Sequence, residues 1–144
     1  MIRCNDVYKS FSGKTVLSGI DFEIGDGEIF GLLGPSGAGN TTLIRILTGQ
    51  LSFDKGLVTV FDKDISSLSG EDKKSIGIMM DQFGVYERLS CIDNLKVFAD
   101  IYGVPTDIIK STLQQVGLKD AGGKSASTLS KGMRARLSLA RVFM

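Results

Sequence analysis

The sequence predicts an α/β fold, and three observations predict it: period-two alternation at the N-terminus, an unbroken apolar run leading into a glycine-rich loop, and amphipathic helical stretches over the second half. Ile2 and Cys4 share one face of a first strand, and Ile20, Phe22 and Ile24 repeat the alternation before a Gly25-Asp26-Gly27 turn. Glu28 to Leu33 contains Ile29-Phe30-Gly31-Leu32-Leu33, the pattern of a strand buried on both faces. Past the glycine loop, Leu43, Ile46 and Leu47 recur at helical spacing up to Gly49, which suits a left-handed helix end. Val58 and Val60 predict another short strand, and Ile76 to Met80 a further one beyond the polar stretch Ser66 to Lys74. Ile92, Leu95, Ala99 and Tyr102 then form one helical stripe, started by Ser90 with Asp93 and stopped at Gly103. A second helix after Thr106 uses Ile109, Leu113 and Val116 and ends at Gly117. A third begins near Ser130 and runs through Leu137, Ala140 and Phe143. The small, polar segment Gly122 to Ser127 reads as a mobile loop.

Composition narrows the function. The 144 residues suit one compact domain. Seventeen basic and sixteen acidic residues leave a charge of +1, too little for a general nucleic-acid binder, which works by releasing counterions. No nucleic-acid partner is expected. Cys4 and Cys91 form no CxxC pair, so neither a disulfide framework nor a zinc site is signalled, and a reduced, cytoplasmic setting fits. Apolar runs fall short of the roughly 18 residues of a membrane span, and the N-terminus lacks an apolar leader core. Histidine is absent, which removes imidazole from any catalytic or ligand role within these residues.

The segment that carries chemistry is Gly34-Pro35-Ser36-Gly37-Ala38-Gly39-Asn40-Thr41-Thr42. It matches the phosphate-loop pattern GxxxxGK[ST] except that Asn40 fills the lysine slot. Gly34, Gly37 and Gly39 allow successive backbone N–H groups to converge on phosphate oxygens, and the following helix adds the positive end of its dipole. Thr41 sits where a hydroxyl joins a magnesium shell between the β- and γ-phosphates, and Thr42 can donate from the first helical turn. A glycine-rich strand-to-helix turn without a ligand is the plainer reading. The buried-strand pattern before the loop and the amphipathic helix after it favour the phosphate reading. Asn40 cannot neutralise terminal phosphates as an ammonium does, so weakened nucleotide affinity is expected, with γ-phosphate chemistry suffering more than binding.

Three further positions carry a resemblance. Leu129-Ser130-Lys131-Gly132-Met133 resembles the LSGGQ signature of ATP-binding cassette (ABC) proteins in the LSKGM form of some exporter ATPases. Gln82 resembles the family's Q-loop glutamine, and Phe11 falls where the family places an aromatic against adenine, a stacking worth about 0.5–1.5 kcal/mol. Singly, each has a plainer reading: a helix cap, a surface amide, a core aromatic. Their order behind the phosphate loop makes the resemblance specific, and it covers the chain from Ile2 to Met144.

What the resemblance implies is a P-loop NTPase of the ABC type with an N-terminal antiparallel β-subdomain and a helical insert. Residues 1–85 would be the β-subdomain with the P-loop core, 86–130 the helical subdomain and 131–144 the signature helix. The implied ligands are ATP and Mg2+, bound by Phe11, residues 34–42 and Gln82, with Thr41 and Gln82 serving the metal. Ser130 and Gly132 would reach the nucleotide of a second nucleotide-binding domain in a head-to-tail dimer. A transmembrane permease subunit would hold the protein at the inner face of the cell membrane, in a transporter exporting a drug, peptide or antibiotic.

No Asp-Glu dipeptide and no histidine occur in these residues, so the family's catalytic glutamate and switch histidine have no counterpart here and no catalytic residue is assigned. The expectation is a cassette truncated after its signature, with an incomplete core sheet, little hydrolysis, and an unpaired strand at Ile29 to Leu33 that favours self-association. The competing reading is a non-catalytic regulatory or remnant domain that pairs with a complete cassette, for which Arg134 and Arg141, seven apart on one helix, offer an interface or simply a solvated basic stripe. Guanine-specific GTPases are disfavoured because no NKxD element follows the loop, and no acceptor site supports another kinase. Asn40→Lys is predicted to tighten ATP binding; an unchanged dissociation constant by isothermal titration would contradict this role for the loop.

Overall fold

A hairpin opens the fold because its turn residues accept positive φ. Strands β1 (Ile2–Phe11) and β2 (Lys14–Ile24) pair antiparallel across Ser12 and Gly13, whose φ values of 48° and 81° suit the tight turn that matches strand twist. Strand β3 (Lys55–Val60) pairs antiparallel with the other edge of β1, and the short β4 (Lys63–Asp64) completes a sheet of order β2-β1-β3-β4. The computed structural model describes residues 1–79 and 84–144. Gly56, at φ 104°, lies so close to β1 that an added Cβ would stand 2.6 Å from the Asn5 carbonyl, beside the register shift between Asn5 and Tyr8.

The chain divides into two compact units, Met1–Ile76 and Gly77–Met144. In the first, helix α1 (Asn40–Leu47) buries Leu43 and Ile46 against Cys4, Val7, Leu17 and Val58, so the apolar face of the sheet and the stripe of the helix form one core. Helix α2 (Gly70–Lys74) starts at a capping box of Ser69 and Asp72. Lys63 at 2.7 Å, together with Ser69, pushes the Asp72 carboxyl down to about 2.

Glu28 to Leu33 does not form the buried strand that its apolar run predicts. Ile29 and Leu33 are 99% and 94% exposed, and only Leu32 and the stacking of Phe30 on Phe22, with centroids 5.1 Å apart, tie the run to the first unit. The reason is backbone pairing: among the described residues the sheet comprises β1 to β4, and none of them offers this segment a ladder. Residues 76–79 likewise form no strand, and Met80 lies outside the described residues.

The second unit is helical. Helices α3 (Cys91–Tyr102), α4 (Ile109–Gln115) and α5 (Lys131–Val142) enclose Cys91, Leu95, Leu113, Leu118, Leu137 and Ala140. Gly103 and Gly117 end α3 and α4 in the left-handed region, at φ 69° and 67°. Ser90 caps α3 by accepting from the Asp93 amide at 3.0 Å. The segment Gly122 to Ser127, expected to be mobile, is instead tied to that helix start. The Gly122 and Lys124 carbonyls accept from the Ile92 and Cys91 amides at 3.0 and 3.1 Å, and Ala126 is fully buried. Those are amides that a helix leaves without internal partners, which is why a polar loop becomes fixed here.

Asn94 is the buried polar anchor of this unit. Its Oδ1 accepts from the Tyr86 amide at 2.7 Å, while its Nδ2 donates to the carbonyls of Tyr86 at 2.9 Å and Ser90 at 3.0 Å. Asn94 is 1% exposed, so no water can replace these bonds. Among the described residues no helix is long and apolar enough to cross a membrane. Asn94→Leu is predicted to destabilise the fold by about 2–4 kcal/mol, because it orphans several buried backbone groups at once; a denaturant midpoint shift at constant slope would measure it.

Candidate functional site

The glycine loop closes on itself before α1 begins. The Ala38 amide donates to the Pro35 carbonyl at 3.0 Å, and Gly37 and Gly39 take φ values of 84° and 95° that side-chain-bearing residues resist. A Cβ on Gly34 would stand 2.8 Å from the Ala38 Cβ, and one on Gly39 would stand 2.8 Å from Leu17 Cδ2 and 3.0 Å from the Val16 carbonyl oxygen. Close approach therefore requires glycine at 34, backbone angle favours it at 37, and both act at 39. The result is a cavity of about 350 Å³ lined by residues 34–42 and by Val16 of β2.

Helix α1 presents an uncapped start to this cavity. Gly39 is its N-cap and offers no side-chain acceptor, no acidic residue lies in the first turn, and the first internal bond is the Leu43 amide to the Gly39 carbonyl at 2.8 Å. The amides of Asn40, Thr41 and Thr42 thus have no acceptor among the described residues. Unpaired N–H groups with the positive end of a helix dipole make an anion seat. No charged side chain lines it. The Asn40 carboxamide lies over the loop's own backbone, its Oδ1 and Nδ2 being 3.4 and 3.5 Å from where a Gly34 Cβ would sit.

The other expected site residues are placed as follows. Phe11, at the end of β1, is 45% exposed and lies outside the cavity lining. Lys9 Nζ stands 5.3 Å from its ring centroid and pairs with Asp54 at 3.0 Å. The Lys9 ammonium and the Ser10 amide hold the Asp54 carboxyl below the usual carboxylate range. Ser130 caps α5 by accepting from the Met133 amide at 3.2 Å, and Gly132, in its first turn, has open space around it. Both belong to the second unit. Gln82 lies outside the described residues.

Residues 34–42 are therefore brought together around one cavity, and Val16 joins them. Val16 was not expected, because nothing in strand alternation tells which side chain meets a loop 20 residues on. Arg134 and Arg141 are half-buried and each makes a contact within the second unit. Arg134 pairs with Glu87 at 3.2 Å, and the Arg141 guanidinium lies 4.8 Å from the Phe98 ring centroid, so each is engaged inside its own unit. Among the described residues no group of three His, Cys, Asp or Glu side chains is placed to hold a metal.

The family model for ABC transporters matches residues 17–144, the loop and the α5 start included. The chain belongs to the ABC transporter family. It is 36% identical over 149 residues to the methionine import ATP-binding protein MetN of Clostridium acetobutylicum, covering 98% of this chain and 47% of that protein. The Nod factor export ATP-binding protein I of a Rhizobium species is 36% identical over 142 residues, covering 96% and 47%. Among solved structures, cbiO1 of Clostridium perfringens, part of the ABC transporter complex cbiONQ, superposes with a TM-score of 0.87 at 25% identity, covering 99% of this chain and 60% of that one. The chain thus spans about half the length of the curated relatives it matches. The antiparallel sheet, glycine loop and helical unit are the fold of this family's ATP-binding subunits, with the core sheet incomplete.

The two positive-φ glycines differ in surroundings, which gives a test of the cradle. Gly39→Ala combines a disfavoured angle with contacts of 2.8 and 3.0 Å and is predicted to destabilise by about 2–3 kcal/mol. Gly37→Ala meets nothing within 4 Å and should lose only about 1 kcal/mol. Urea unfolding of the two variants checks the order; equal losses would show that loop packing against Val16 and Leu17 contributes nothing.

Proposed function

We propose that this chain is the nucleotide-holding part of the ATP-binding subunit of an ABC transporter, with the phosphates of Mg-ATP seated in the cavity of residues 34–42. The observation that carries the proposal is the set of unpartnered amides at Asn40, Thr41 and Thr42, at the wall of a cavity with no competing side-chain acid. In this reading the loop amides hold the phosphates, and Thr42 adds a donor from the first helical turn. Thr41 Oγ1 and the Gln82 carboxamide would hold the magnesium ion, oxygen donors of the kind that cation takes. Phe11 takes the adenine ring. Bound there, Mg-ATP would supply phosphoanhydride energy for transport, although with no catalytic residue assigned in this chain little hydrolysis by it alone is expected.

The same reading assigns Ser130 and Gly132 to the nucleotide of a second cassette domain, and couples the protein to a transmembrane permease on the cytoplasmic face of the membrane. Gly132 supports this by lying uncrowded in the first turn of α5, where a ligand can approach the backbone. The LSKGM form of the signature and the likeness to a Nod factor exporter's ATP-binding protein favour export. Equal identity to a methionine importer's subunit keeps the nucleotide reading independent of direction. Asn40 also favours a second reading, a low-turnover partner of a complete cassette, since a neutral loop can hold nucleotide without activating its terminal phosphate.

Isothermal titration with Mg-ATP tests the proposal. Saturable binding is expected for the chain, and at least tenfold weaker binding for Gly34→Val, whose side chain would crowd Ala38 and the loop. Circular dichroism confirms that the variant is folded. No saturable binding by the unsubstituted chain, or undiminished binding by folded Gly34→Val, would refute it.

A further inference from the structure

We infer that Asn40 makes this site a diphosphate seat that holds ADP as tightly as ATP. The inference rests on the nucleotide reading above and adds to it the selectivity of the loop. In a phosphate loop the two kinds of donor serve different phosphates: backbone amides cradle the α- and β-phosphates, whereas the lysine ammonium reaches the β- and γ-phosphates. Here the first kind is intact. The amides of residues 40–42 lack acceptors among the described residues, and the glycine cradle is as tight as the Cβ contacts at Gly34 and Gly39 require.

The second kind is missing. Residues 34–42 and Val16 include no cation, so no charge at the cavity wall takes the lysine's place. Nor can the Asn40 amide stand in for it. Its side chain is two bonds shorter than the lysine stem plus ammonium, and it lies back over Gly34 instead of reaching outward. An amide donates a neutral hydrogen bond, roughly half as strong as a charge-assisted one. A third phosphate therefore brings extra negative charge that no group of the loop compensates, while the first two keep every backbone donor they would have in a complete motif. The lysine's contribution to the γ-phosphate is lost while the amide cradle of the α- and β-phosphates stays, and ATP and ADP become near equivalent ligands.

Two nucleotides titrated into two proteins decide the matter: Mg-ATP and Mg-ADP into the unsubstituted chain and into Asn40→Lys, by isothermal titration. The expected result is ATP and ADP dissociation constants within threefold of each other for the unsubstituted chain. Asn40→Lys should tighten ATP at least tenfold and ADP by a smaller factor, so that the ATP-to-ADP preference rises. If Asn40→Lys does not fold, as judged by circular dichroism, Asn40→Arg brings the same charge. ATP binding at least tenfold tighter than ADP by the unsubstituted chain overturns the inference and leaves the proposed function standing. An ATP-to-ADP ratio that the introduced cation does not change overturns the assignment to Asn40. Binding seen only in the charged variant, or in none of the proteins, overturns both the seat and the proposed function.

Discussion

The contact on which the site depends is the approach of the glycine loop to the second strand of the hairpin. Gly39 stands where any Cβ would strike Leu17 and the Val16 carbonyl, and Leu17 is itself part of the core that Leu43 and Ile46 enter from the helix. The start of α1 is thereby held by the sheet through both its N-cap and its apolar face. Because a glycine N-cap supplies no acceptor, the same constraint that seats the helix leaves its first amides unpaired. The unpaired amides that could receive an anion thus follow from a packing requirement, and the loop closes without a cation among its residues.

The second unit solves a different problem with similar means. Its helix starts are served by neighbouring polar groups: Ser90 and the carbonyls of residues 122 and 124 at α3, and Ser130 at α5. Asn94 gathers the chain from Tyr86 to Ser90 around one buried amide. A polar group so buried stabilises only if each of its bonds is made, so this stretch has a single arrangement. The α5 start, with Ser130 as cap and Gly132 uncrowded, is consequently presented on a rigid support.

The apolar run Ile29 to Leu33 shows how a strong local signal can go unused. Its composition suits a strand covered on both faces, yet strand formation is a property of two segments, and no described strand lies alongside. The helices behaved otherwise. Their stripes, caps and glycine stops are local, so Ser90, Gly103, Gly117 and Ser130 marked ends that the structure keeps. Family membership was legible for a related reason: the glycine spacing and the signature are short, ordered motifs whose geometry requires particular residues.

By itself, the sequence determined the loop, its neutral fortieth residue, the helix boundaries and the family, since each depends on interactions within a few residues along the chain. Tertiary structure alone decided that Val16 lines the cavity, that Asn40 folds back over Gly34, that the polar segment after Gly122 is bound and not mobile, and that Arg134 and Arg141 are occupied within their unit. These depend on which distant segments meet. That meeting is governed by apolar burial, which has no direction along the chain and leaves no local mark in the order of residues.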